Sequence, residues 1–235
     1  MVEIQLKGPG KNALGTQTMH QLREQLTAAK GEPVLLSGAG DAFSAGLNLK
    51  EVASLDEAGM AVFLERLEQT FAALYFYPGP VVGLINGHAI AGGCVLAQCC
   101  DWRVAGDNPK VKIGLNEVAL GLRFPPRTWE VVRRRIPAAH HEEVLLGAGL
   151  FDPRRALELG LLDAVAADPA AAARQELERR SALPRRAYVD AKRDLRGSTV
   201  DDLVPEAESK RRIREMLPVW TSAEVKARVM AVLAK

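Results

Sequence analysis

From Pro80 to Asp101 the chain reads PVVGLINGHAIAGGCVLAQCCD, and this stretch constrains the fold more than any other. It opens as an apolar, β-branched run (Val81, Val82, Leu84, Ile85), the pattern of a buried strand. It passes Asn86-Gly87, reaches Ala91-Gly92-Gly93, and continues from Cys94 to Cys100 as a helix with almost no solvent face. A strand, a glycine turn and a buried helix start put unpaired main-chain N–H groups at the positive end of a helix dipole. Such a site suits an anionic oxygen, and glycines let a ligand approach the backbone. A strand-to-helix turn with no ligand would use the same residues, and the segment alone does not separate the two.

Composition narrows the partners. The 235 residues suffice for one full core, and apolar and charged fractions of 48% and 26% are those of an ordinary globular chain. A formal net charge of +2 gives no global pull toward nucleic acid or a membrane surface, so an anionic ligand must be met by local lysines and arginines. Cys94, Cys99 and Cys100 crowd into one apolar helix. An odd count so closely packed suits neither a disulfide framework nor a zinc site, and implies reduced core thiols. MVEIQLKGPG has neither a basic n-region nor an apolar h-region, and no apolar run approaches the ~20 residues that span a bilayer. The expected setting is cytoplasmic, without nucleic-acid, membrane or metal partners.

Along the chain, Val2–Leu6 alternates as a strand, and Thr16 to Lys30 reads as a helix with Met19, Leu22, Leu26 and Ala29 on one face. Val34–Leu36 is a short strand ending in a Ser37–Asp41 loop. Ala42–Lys50 is a second place where main-chain N–H groups could meet a ligand. Gly59–Leu74 is an amphipathic helix; Trp102–Ala105 and Val111–Ile113 are strands; Arg127–Arg135, Glu142–Leu146 and Pro153–Leu159 are helical. Gly160–Val165 is a last strand, and Asp168–Lys235 carries only helical patterns. Chemistry is expected before Val165, with the tail packing or oligomerising. The division is therefore 1–167 and 168–235.

Two glycine turns facing each other across strand ends would each give one N–H to a single oxygen, the arrangement that stabilises an enolate or tetrahedral oxyanion. Enolate chemistry also needs a base beside the carbonyl. Glu117, between Ile113-Gly114-Leu115 and Val118-Ala119-Leu120, is the candidate, because apolar burial would raise its pKa toward a working base. An acid serving only the dipole of a helix start fits the same residue. His88 reads as a core or supporting residue, and His20, His140 and His141 as surface. Asp101 reads as a cap or a partner for Arg103, and Arg133-Arg134-Arg135 as a solvated face.

Three ordered motifs, AFSAGLNLK, INGHAIAGGCVLAQCCDWRVA and KIGLNEVALGL, resemble the crotonase (enoyl-CoA hydratase/isomerase) superfamily over Val2–Val165, and GLLDAV resembles a later strand of that family. The resemblance implies an α/β fold, a spiral of stacked ββα units with a helical C-terminal trimerisation region. It implies an acyl-CoA thioester as substrate, no permanently bound cofactor, and a homotrimer or hexamer. By motif position the oxyanion hole would be the backbone N–H of Leu47 and of Gly92. Ser44, Ala45, Gly46, Asn48, Lys50 and Asn116 would line the CoA and substrate site, bordered by Asn12–Leu14.

Departures from the family pattern bear on the reaction. Hydratases of this family carry two glutamates; the first position holds Val95 here and the second Glu117. Val95 cannot activate water, whereas one glutamate suffices to move a proton from C2 to C4 of a dienolate. IGLNE and FSAGLNL look most like the isomerases that shift a 3,4 double bond to the 2,3 position. A hydratase, hydrolase or decarboxylase is the alternative, and a non-catalytic acyl-CoA-binding or RNA-associated paralogue a third. Val95 argues against hydration; Glu117 argues against a non-catalytic chain. The modest charge and the lack of interleaved aromatics argue against RNA. Arg123-Phe124-Pro125-Pro126 replaces a small glycine-containing loop of the hydratases. The tail lacks the family's Phe-x-x-Lys-Arg signature, which leaves Lys226 or Lys235 of a neighbouring subunit to meet a CoA phosphate.

Overall fold

The computed structural model describes residues 1–234. Its framework is a five-stranded, all-parallel sheet of β1 (Val2–Leu6), β2 (Val34–Gly38), β4 (Val81–Ile85), β6 (Trp102–Gly106) and β8 (Ala164–Ala166), in the order β1-β2-β4-β6-β8. A second parallel sheet joins β3 (Ala42–Ser44), β5 (His88–Ile90) and β7 (Ile113–Gly114). Consecutive strands thus alternate between sheets: β2 and β3, β4 and β5, β6 and β7 each send their first member to the large sheet and their second to the small one. Helical segments follow each pair, which is the expected stacking of ββα units.

The inner strands β2 and β4 are nearly continuous in apolar residues because both faces of the sheet are covered there, whereas the edge strand β1 alternates. Ile4, Val34, Leu36, Val81 and Ile85 face the main core, together with α2 (Thr16–Ala28), α4 (Glu57–Tyr75) and α5 (Gly92–Cys99). The alternate residues Leu35, Val82 and Val104 face Ala173 and Leu177 of α8 (Pro169–Ser181). The tail therefore begins by closing the second face of the sheet. The remaining helices are α1 (Pro9–Asn12), α3 (Leu49–Ser54), α6 (Pro126–Arg135), α7 (Pro153–Glu158), α9 (Arg185–Arg196), α10 (Glu206–Trp220) and α11 (Ala223–Leu233). Among the described residues no helix is long and apolar enough to cross a membrane.

Two expectations about charged side chains are corrected. Asp101 does not pair with Arg103: its carboxylate is met by Lys192 at 2.8 Å and Arg196 at 2.8 Å from α9, and Arg103 pairs with Asp163 at 2.7 Å. Nor is the arginine run wholly solvated. Arg133 is held at the surface by Glu130, but Arg135 turns inward and donates to the carbonyls of Gln98 and Cys100 at the end of α5. That helix end would otherwise leave buried carbonyls unpaired, so a guanidinium is drawn in. The three cysteines are buried and free, and burial pushes all three thiols well up.

Candidate active site

The first donor turn lies between β3 and α3. Leu14 forms a parallel bridge with Leu47: the Leu14 N–H donates to Gly46 O at 2.7 Å, and the Asn48 N–H donates to Leu14 O at 3.0 Å. In a trans peptide C=O and N–H point in opposite directions. The bond that fixes Gly46 O therefore aims the Leu47 N–H away from Leu14. Gly46 itself has φ +94°, and a Cβ there would lie 2.8 Å from Ile90 O and 3.5 Å from the Gly92 nitrogen. The turn can approach the second donor only because that atom is missing.

The second donor turn is the start of α5. Ala91 sits at φ 50°, ψ −123°, its N–H donates to Gly114 O at 2.8 Å, and its carbonyl accepts from the Val95 N–H at 3.0 Å. With Ala91 O committed along the helix, the N–H of the same peptide, that of Gly92, points outward from the helix start. Among the described residues neither the Leu47 nor the Gly92 N–H meets an acceptor. The two expected donors are thus brought together, free, across strand ends of the small sheet.

Glu117 follows β7 and precedes a 3-10 turn at Val118–Leu120, making no side-chain cap. The dipole-acid alternative thus lacks its hydrogen bond. The residue is 8% exposed, and its Oε2 has no partner among the described residues. Burial, with no neighbouring charge to oppose it, pushes the carboxyl up to about 8. It lies close enough to the first turn of α5 to act electrostatically on the Cys94 thiol. Next to it Asn116 has a buried Oδ1, also unpartnered. Val95 is 1% exposed within the apolar core.

The other expected residues separate. Ala45 and Lys50 are exposed at the surface of the donor turn, and Asn48 caps α3 by accepting from the Glu51 N–H. Ser44 is corrected: it is fully buried, its hydroxyl donating to Asn12 O at 2.8 Å and accepting from the Gly46 N–H at 3.3 Å. It shapes the turn from beneath and does not line a ligand. His88 is half-buried, and its Nδ1 accepts from the Lys112 N–H at 3.0 Å. Burial first, then Lys11, lower its pKa, so it stays a neutral supporting residue. Lys226 lies half-exposed on α11, which buries Val225 and Val229 against α3 and the 3-10 turn of its own chain. Lys235 lies outside the described residues. Sequence reasoning missed Glu51, whose carboxylate reaches the start of α2; only the absence of a capping side chain at Gly15 could have signalled it.

A sequence model of the enoyl-CoA hydratase/isomerase family matches residues 1–228. The mitochondrial enoyl-CoA delta isomerase 1 of Mus musculus is 31% identical over 213 residues, 88% of this chain and 74% of that protein. A crotonyl-CoA hydratase of Syntrophomonas wolfei is 28% identical over 159 residues, 66% of this chain and 60% of that one. The crystal structure of human mitochondrial delta3-delta2-enoyl-CoA isomerase superposes with a TM-score of 0.90 at 26% identity, covering 99% of this chain and 92% of that chain.

Proposed function

The chain belongs to the enoyl-CoA hydratase/isomerase family, and within it we propose that this member is an enoyl-CoA isomerase, moving a double bond from the 3,4 to the 2,3 position of an acyl-CoA thioester. The observation that carries the reading is the buried carboxylate of Glu117, with no charged partner beside it, and buried Val95 standing where hydratases place a second acid. The isomerases among its similar proteins support it.

In the proposed reaction the Glu117 carboxylate removes a proton from C2 of the 3-enoyl thioester. The C–H electron pair becomes a C1–C2 double bond as the carbonyl π pair moves to oxygen. The resulting enolate oxygen is held by the Leu47 and Gly92 N–H groups. Collapse of the enolate restores the carbonyl, the 3,4 double bond becomes 2,3, and C4 takes the proton back from Glu117. Ala45, Asn48 and Lys50 border the CoA moiety. Residues 1–167 carry this site in our reading, and 168–235 serve assembly into a homotrimer or hexamer. Exposed apolar side chains of the tail, such as Leu195 at 76% exposure, support the assembly. The three buried thiols support a reducing, cytoplasmic setting.

The test is an assay of 3-enoyl-CoA and 2-enoyl-CoA side by side. Conversion of the first without a 3-hydroxyacyl product is expected. Hydration of the 2-enoyl ester at a comparable rate would overturn the assignment.

A further inference from the structure

The loop bearing the Leu47 N–H is closed into a ring by a residue that touches neither donor. Gly15 precedes α2 and offers no side chain to cap it. The cap comes instead from α3: the Glu51 carboxylate accepts from the Thr16 N–H at 3.1 and 3.2 Å and from the Thr16 hydroxyl at 2.5 Å. Glu51 is also tied to the loop itself, since its own N–H donates to Asn48 Oδ1 at 3.4 Å. The Glu51 Oε2 sits where a Cβ on Gly15 would lie, so the borrowed cap fills the space that a local one would use. The ring runs from Leu14 through Gly15 and Thr16 to Glu51, back along α3 to Asn48 and Leu47, and across the bridge to Leu14.

We infer that Glu51 is a positioning residue for the oxyanion donor: it fixes α2 against α3 and so sets the angle at which the Leu14 bridge presents the Leu47 N–H. This rests on the assignment of Leu47 to the oxyanion hole. A donor displaced by an ångström forfeits much of its transition-state effect while leaving substrate binding largely intact. The loss therefore falls on kcat, not on KM.

Three variants separate this role from simple capping. Glu51→Ala should lower kcat on 3-enoyl-CoA roughly 10- to 100-fold with KM near that of the parent protein. Glu51→Gln, whose amide oxygen still accepts from Thr16, should keep most of the turnover. Adding Gly15→Ser to Glu51→Ala restores a helix cap without the tie to α3; Tm should recover and kcat should not. Recovery of kcat with Tm, or an unchanged kcat in Glu51→Ala, would overturn the inference. A conjugated chromophoric thioester such as cinnamoyl-CoA gives an independent reading, because carbonyl polarisation shifts its absorbance to the red. The parent protein should show the shift and Glu51→Ala a smaller one. Equal shifts would overturn the Glu51 role alone, whereas a bound thioester unshifted in the parent protein would overturn the oxyanion hole itself.

Discussion

Glu117 must be ionised to act as a base, yet burial favours its neutral form. The carboxyl ionises near 4.5 in the unfolded chain and at about 8 in the folded one. kcat/KM should therefore climb as pH rises toward about 8 and flatten above it, a profile readable from initial rates across that range. The same shift has a stability side. The folded state holds a proton that the unfolded chain releases, so the contribution is fully present at pH below 4.5 and is lost as pH rises through about 8. Glu117→Gln removes this burden. It should lower turnover by roughly 10²–10⁴ while binding acyl-CoA, and it should melt above the parent protein at alkaline pH, with the gap closing toward acid. Turnover retained in that variant would remove Glu117 from the reaction.

At the scale of elements, the inner strands β2 and β4 are readable because both their faces are covered and their residues are apolar almost throughout, β1 because it alternates, and the helices α2, α4 and α5 because their apolar patterns are long. The donor turns are readable because a glycine or a run of small residues interrupts such patterns. The small sheet is less so. β5 is only His88-Ala89-Ile90, too short for alternation to register, and its pairing is settled by β3 and β7. Ser44 is misread for a related reason: its place in a motif does not reveal that its hydroxyl turns inward to Asn12 and Gly46. The strained link is Ala91, with a side chain at φ 50° just before the Gly92 donor. Such strain costs on the order of 1–3 kcal/mol, and glycine would relieve it at a cost of about 0.5–1 kcal/mol in unfolded-state entropy. Ala91→Gly should thus be at least as stable as the parent protein in urea titration. A clearly lower midpoint would show that the turn is not strained.

At the scale of the molecule, the tail is tied to the stretch that carries the Gly92 donor. Asp101 accepts from the Val81 N–H at 2.8 Å and the Tyr188 hydroxyl at 2.9 Å, beside Lys192 and Arg196. Arg196 also donates to the carbonyls of Tyr75 and Cys99 and lies 4.7 Å over the Tyr75 ring. Burial works to raise the Asp101 pKa, but Lys192 and Arg196 outweigh it and hold the carboxyl below its ordinary value. No sequence pattern reveals a pair separated by 91 positions; it follows from α8 crossing the sheet and returning the chain to the end of α5. Removing one partner of a buried ion cluster leaves the others uncompensated, which typically costs about 3–5 kcal/mol, whereas replacing all of them with apolar groups costs far less. Asp101→Ala should lose stability by that amount in urea titration, with a correspondingly lower midpoint. Asp101→Ala combined with Lys192→Met and Arg196→Met should regain part of it, because the stranded cations are gone. If the single variant matched the parent protein, or the triple were worse than the single by the sum of its parts, the cluster would not be what anchors the tail to the catalytic core.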